Sequence, residues 1–210
     1  MIVPRLSVIL NINIMDTDRT TPSNNPQPEL NQEPSRVFDH HLREWRTSSV
    51  DPKLITLNLI SLLGFTIYEY LLYGLGKSER RNDGRLRDKW LNRYASLSDG
   101  GWWVSGLDPL NNWLPMIWGR CKPDNPRIIG SKNKPIKYES PPKVANRVTY
   151  FNIPQHIWDL VAQRYGIKRY LSPSSQRLTA RTKPLCFWEW VQKHPKIPII
   201  LTEGEKKAAC

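Results

Sequence analysis

Ile197-Pro198-Ile199-Ile200-Leu201-Thr202-Glu203-Gly204-Glu205-Lys206-Lys207-Ala208-Ala209 is the stretch whose reading decides the fold. Residues 197–202 form a continuous apolar run of the kind that a strand covered on both faces requires. Glu203-Gly204 then makes a turn, and the five residues after it are good helix formers. Strand, turn, helix is how an α/β unit opens. A lone strand with one helical turn has no neighbours to bury it, so the sequence predicts that its sheet lies beyond Cys210 and that the chain is the front of a larger protein. Glu203 falls at the carboxyl end of the strand, where open α/β sheets carry their working groups, and is the candidate catalytic residue. A carboxylate there can serve as general acid or base, and Gly204 beside it permits close approach of backbone or substrate. Phosphoryl chemistry usually also needs carboxylates that hold Mg²⁺.

Upstream, the expected class is α+β. Residues 1–35 read as a disordered arm, because residues 16–35 are rich in Thr, Asn, Gln and Pro and carry too little apolar surface to offset ordering. Residues 1–15 are too short and too polar to span a bilayer, and Met15 is the expected true start, with 1–14 not translated. A helical region follows over 36–96. Val37, His41, Leu42 and Trp45 sit at helical spacing over 36–47. Asp51-Pro52 caps a second helix that carries Leu54, Leu57, Ile60 and Ser61 to Gly64. Residues 66–73 and 85–95 are two further helices, the latter with Leu86, Trp90, Leu91 and Tyr94 inward. Over 97–195 the texture changes to short apolar runs (100–106, 114–119, 128–129, 136–138 and 148–151) between Gly, Pro, Asn and Asp, which predicts a small sheet. Alternation along a strand turns one of Trp102 and Trp103 inward and the other outward, so at least one is expected in the core. Helices over 154–166 and 185–193 precede the final unit at 196–210.

Charge is the strongest bulk signal. The chain carries a formal +12, and nine Trp, eight Tyr and four Phe supply its large buriable surfaces. A field of that sign attracts polyanions, chiefly nucleic acid. Residues 120–147 hold eight Lys and Arg against two acids, and 164–183 add six more with none. Phosphates need Lys and Arg, and unpaired bases stack on aromatic faces, so this mixture suits single-stranded nucleic acid. The candidate binding residues are Arg120, Lys122, Lys134, Lys137, Tyr138, Arg147 and Lys206. Cys121, Cys186 and Cys210 form no close-spaced pair, and the four histidines complete no zinc pattern. His40 and His41 fall in a helix, where neighbours point in different directions, so no metal site is expected. The lack of a disulfide or export pattern points to the cytoplasm.

Several motifs carry a resemblance. The apolar strand followed by Glu203-Gly204-Glu205-Lys206-Lys207-Ala208 looks like the first motif of a Toprim domain, the catalytic fold of bacterial-type primases and topoisomerases. Lys134-Pro135-Ile136-Lys137-Tyr138-Glu139-Ser140-Pro141 is similar to the Lys-Tyr element that precedes the Toprim part in such primases. A closer resemblance runs from about His40 to Cys210. Its motifs are Ser78-Glu79-Arg80-Arg81-Asn82-Asp83-Gly84-Arg85-Leu86, Gly100-Gly101-Trp102-Trp103, Gly106-Leu107-Asp108-Pro109, Trp118-Gly119, Lys122-Pro123-Asp124, Pro135-Ile136-Lys137-Tyr138-Glu139 and Leu201-Thr202-Glu203-Gly204. In that order they resemble the amino-terminal, Toprim-like domain of unknown function of cyanobacterial plasmid replication proteins (CyRepA-like).

The resemblance implies a longer protein with an ATPase or helicase-like region beyond, and a later Asp-x-Asp motif that holds Mg²⁺ in the full-length relative. This chain stops before that motif, so no cofactor is expected in it and catalysis is expected to be incomplete. The expected function is single-stranded DNA binding by the amino-terminal portion of a primase-like or Toprim-like plasmid replication protein, with replication proteins as further partners and no membrane. The alternatives are a non-catalytic adaptor for DNA or a replication partner, and a gene fragment without function.

Overall fold

The computed structural model describes residues 7–9, 36–129, 133–168 and 186–210. The arm at 16–35 and most of the basic loop at 168–183 lie outside the described residues. The class is α+β, built on a three-stranded antiparallel sheet in the order β2-β3-β4, with β2 at Leu59–Leu62, β3 at Gly101–Asp108 and β4 at Leu114–Pro123.

On one face of the sheet lie helices α1 (Asp39–Arg46) and α2 (Pro52–Asn58). Their Trp45, Leu54 and Ile55 join Trp102, Val104 and Phe151 in one core. The opposite face carries α3 (Thr66–Leu72) and α4 (Asp88–Arg93), whose Ile67, Leu71 and Trp90 pack with Trp103 and Cys121. Both Trp102 and Trp103 are therefore buried, at 1% and 2% exposure. Alternation does send the two rings to opposite faces, but helices cover both, so the expected outward tryptophan is corrected. Removing either ring would cost about 3–5 kcal/mol.

The second helix is shorter than its sequence pattern. Asp51 caps it as expected, accepting from the N–H groups of Lys53 and Leu54 at 2.9 and 3.0 Å. It then stops at Asn58, whose side chain donates to the Leu54 and Asn152 carbonyls and accepts from the Asn152 N–H. Leu59–Leu62 leaves as β2 and pairs with Val104–Gly101. The apolar 3.6-residue period continued past a point where long-range pairing wins. Leu91, expected inward, is 40% exposed because it follows Trp90 by one residue and so sits about 100° around the helix from the face that Trp90 buries.

A β-hairpin of β5 (Ile128–Ile129) and β6 (Lys134–Pro135) follows, so pairing falls just before the expected 136–138 segment, which continues without regular structure. Helices α5 (Gln155–Arg164) and α6 (Phe187–Gln192) build a third core from Trp158, Phe187, Trp188 and Trp190. Cys186 and Glu189 close a capping box at the start of α6. The chain ends in β7 (Ile200–Thr202) and α7 (Glu205–Ala209). The last strand, expected to lack neighbours in this chain, is largely uncovered but has one partner. Ile197 is buried, but Ile199, Ile200 and Leu201 are 48%, 40% and 51% exposed, and β7 pairs antiparallel with β1, Ser7–Ile9.

Close packing at the centre of the sheet is set by Gly119. A Cβ there would lie 2.4 Å from the Val104 carbonyl oxygen and 2.5 Å from the Trp103 ring. Gly119→Ala should lower stability by about 1–3 kcal/mol, read as a lower urea midpoint at unchanged slope. Gly76→Ala, with nothing within 4 Å, should leave the midpoint where it is.

Candidate functional site

β-Strand register puts Arg120 opposite Val104 and Lys122 opposite Trp102, on the face that also receives α1. Arg120 is buried there and meets Glu205 of α7, also buried, with Nη1 3.1 and 3.2 Å from the two carboxylate oxygens. Its guanidinium lies over the Tyr138 ring at 5.3 Å, while its Nε is buried without a hydrogen-bond partner among the described residues. Two charges taken out of water cost several kcal/mol each unless they meet, so each makes the other tolerable. Next to this pair, Glu44 of α1 accepts from Trp102 Nε1 at 3.0 Å, Lys122 Nζ at 2.7 Å and Lys206 Nζ at 2.9 Å. Glu205 and Lys206 are consecutive, so the final motif docks on the sheet and on α1 through two adjacent charges.

Four of the seven expected binding residues thus spend charge inside the protein. Arg120 is committed to Glu205, Lys122 and Lys206 to Glu44, and Arg147 to Asp108 at 2.6 Å. Tyr138 is half-buried, its ring 5.9 Å from that of Trp102, and burial pushes its phenol up. Lys134 and Lys137 are exposed and pair with no carboxylate among the described residues. Together with Pro135, Ile136 and Tyr138 they line a pocket of about 340 Å³. The segment that sequence reading singled out for Lys-Tyr spacing is therefore a cleft with an apolar lining and two free cations.

Glu203, the candidate catalytic residue, is exposed just after β7, and Gly204 (φ +89°) turns the chain into α7. The carboxylate that sequence reading missed is Glu205, two residues on. Nothing in spacing distinguishes it, because its role depends on Arg120, 85 residues away. Glu44 was missed for the same reason. Glu203 does not belong to the group of donors that could share an ion among the described residues, which is His40, His41 and Asp124. Mg²⁺ takes oxygen ligands rather than imidazoles, so this set does not fit that ion.

His40 and His41 were expected to diverge. Instead their ring centroids are 3.9 Å apart and both reach Asp124, His41 Nε2 at 2.9 Å and His40 Nε2 at 3.5 Å. His41 is 1% exposed, and burial lowers its basicity despite the carboxylate beside it.

The fold and this charged junction define a mixed α+β protein whose last segments match a described domain. Residues 187–210, from α6 through α7, match a domain of unknown function, DUF3854. Over 198 residues, 91% of this chain, it is 42% identical to an uncharacterized protein of Picosynechococcus sp. (strain ATCC 27264 / PCC 7002 / PR-6). The aligned part is 19% of that relative, so the chain spans about a fifth of its length. No solved structure matches. No helix among the described residues is long and apolar enough to cross a membrane.

Two carboxylates set an acid limit on the fold. Burial pushes Glu44 up, but hydrogen bonds from Lys122, Lys206 and Trp102 outweigh it and hold the group below its ordinary 4.5. Hydrogen bonds from Lys143, Lys89 and Trp90 hold Glu79 at about 2. Both are lower in the folded chain than in the unfolded one, so their stabilisation is complete above pH 4.5 and is lost as pH falls below it. For Glu79 the loss should run from about 4.5 to about 2. Urea midpoints measured across that window should fall with pH, and Glu79→Gln should flatten the fall.

Proposed function

We propose that the chain is a nucleic-acid-binding portion of a primase-like or Toprim-like plasmid replication protein, and that it contacts single strands through the Lys134–Tyr138 cleft. The observation that carries this reading is the contrast among the basic residues. Arg120, Lys122, Arg147 and Lys206 face internal carboxylates, whereas Lys134 and Lys137 stand unpaired among the described residues beside a pocket with an apolar lining. A base packs against Ile136 and Tyr138, and the flanking phosphates take the two ammonium groups. The net charge of +12 draws the strand in, and stacking on the cleft favours unpaired bases. The motif resemblance supports placing this binding activity in a replication protein. Glu203 belongs to the same reading as the first acid of a site whose other acids lie elsewhere in a longer protein. It takes no part in binding.

Fluorescence anisotropy with a labelled oligo-dT tests the proposal. Binding should weaken steeply with salt, and the paired substitution Lys134→Ala/Lys137→Ala should weaken it further. The log–log salt slope should shrink by about 1.4, since each single-strand phosphate contact contributes about 0.7. Glu203→Gln should bind as the native chain does. Unchanged affinity and slope in the double lysine variant would overturn the cleft, and tighter binding to duplex than to single strands would overturn the substrate class.

A further inference from the structure

Three donor atoms from segments 83 residues apart converge at the start of α1. One ring nitrogen of His40, one of His41 and one carboxylate oxygen of Asp124 all lie within 4.8 Å of one another. We propose that His40, His41 and Asp124 form a binding site for a transition-metal dication of the Zn²⁺ class. Two imidazoles and a carboxylate are the donor set such ions take, and it leaves coordination positions open.

Spacing supports the assignment. Ligands about 2.0–2.2 Å from one ion lie roughly 3–4 Å from each other. Here His41 Nε2 is 2.9 Å from one carboxylate oxygen of Asp124 and His40 Nε2 is 3.5 Å from the other, so both imidazoles already stand at about that spacing from the carboxylate. Neighbouring helix residues ordinarily point apart. These two rings are drawn together, with the Phe38 ring 5.9 Å from each.

The surroundings hold the donors in place. Nδ1 of His41 is 2.7 Å from Ser61 Oγ, and the same hydroxyl accepts from the Phe38 N–H at 2.7 Å. A partner on the second ring nitrogen fixes the orientation of an imidazole and leaves Nε2 to face the ion. On the other side the Asp124 N–H donates to the Gly100 carbonyl at 3.0 Å. Gly100 has φ +115°, and a Cβ there would lie 3.0 Å from Asp124 Oδ2, so a glycine makes room for the carboxylate.

A His41–Asp124 hydrogen bond needs only one histidine, and it does not account for His40. That ring is 55% exposed in its side chain and could lie free in solvent, yet it rests against a second imidazole and on the other carboxylate oxygen. Exposure also sets the shape of the site. His41 closes the inner side at 1%, while His40 and Asp124 leave the outer side open to water or to a ligand. The net charge of +12 repels cations at long range, so capture depends on the local donors and not on the field.

The experiment uses the untagged 210-residue chain, stripped with chelator and titrated with Co²⁺ and then Zn²⁺. One equivalent of Co²⁺ should produce visible d–d bands that Zn²⁺ abolishes by displacement, and Zn²⁺ should raise the melting temperature. His40→Ala, at an exposed position, should melt as the metal-free native chain does, bind Co²⁺ at least about tenfold more weakly and lose the Zn²⁺-induced rise. Asp124→Asn should do the same. Absence of the bands and of the Zn²⁺ effect in the native chain would overturn the proposal, as would native affinity in His40→Ala.

Discussion

The ion pair between Arg120 and Glu205 is the constraint on which the arrangement of this protein depends. Both groups are buried, one in the middle of β4 and the other in the first turn of α7. Neither charge could remain there alone, because desolvation without a partner costs several kcal/mol. Placing the arginine on the sheet therefore dictates that α7 docks against it. Lys206 then falls within reach of Glu44, and Ala208 enters the core formed by Trp45 and Trp102. A motif at one end of the sequence becomes part of a wall begun by α1, 162 residues earlier.

How much of this could be read from the sequence depends on whether the deciding interaction was local. The Asp51-Pro52 cap, the helices over Thr66–Leu72 and Gln155–Arg164, and the strands β3 and β4 follow from neighbouring residues and stand about where expected. Leu59–Leu62 failed that test because its apolar pattern fits a helix as well as a strand, and the partner that decided it lies some 40 residues on. Trp102 and Trp103 were separated correctly by face, but whether a face is covered is a property of the whole fold. At β7 the apolar run gave the strand, but its partner, Ser7–Ile9, comes from the other end of the sequence and could not be read from the run itself.

The candidate site divides along the same line. Lys134, Lys137 and Tyr138 were legible because the whole cleft is one short segment. Arg120 and Lys122 looked like surface cations within a basic run, and their carboxylate partners come from α7 and α1. His40 and His41 are adjacent in sequence, but the residue that gathers them is Asp124 at the end of the sheet. On the proposed reading, internal pairing engages four of the candidate cations and leaves Lys134 and Lys137 exposed at the cleft.

The central claim is that Arg120 and Glu205 act as one unit holding α7 to the sheet. A double-mutant cycle in urea with Arg120→Met, Glu205→Met and both together tests it most directly. Each single change should cost about 3 kcal/mol or more by stranding a buried charge, and the double change should cost less than the sum by more than about 1 kcal/mol. Single effects that add to within about 0.5 kcal/mol would contradict the account.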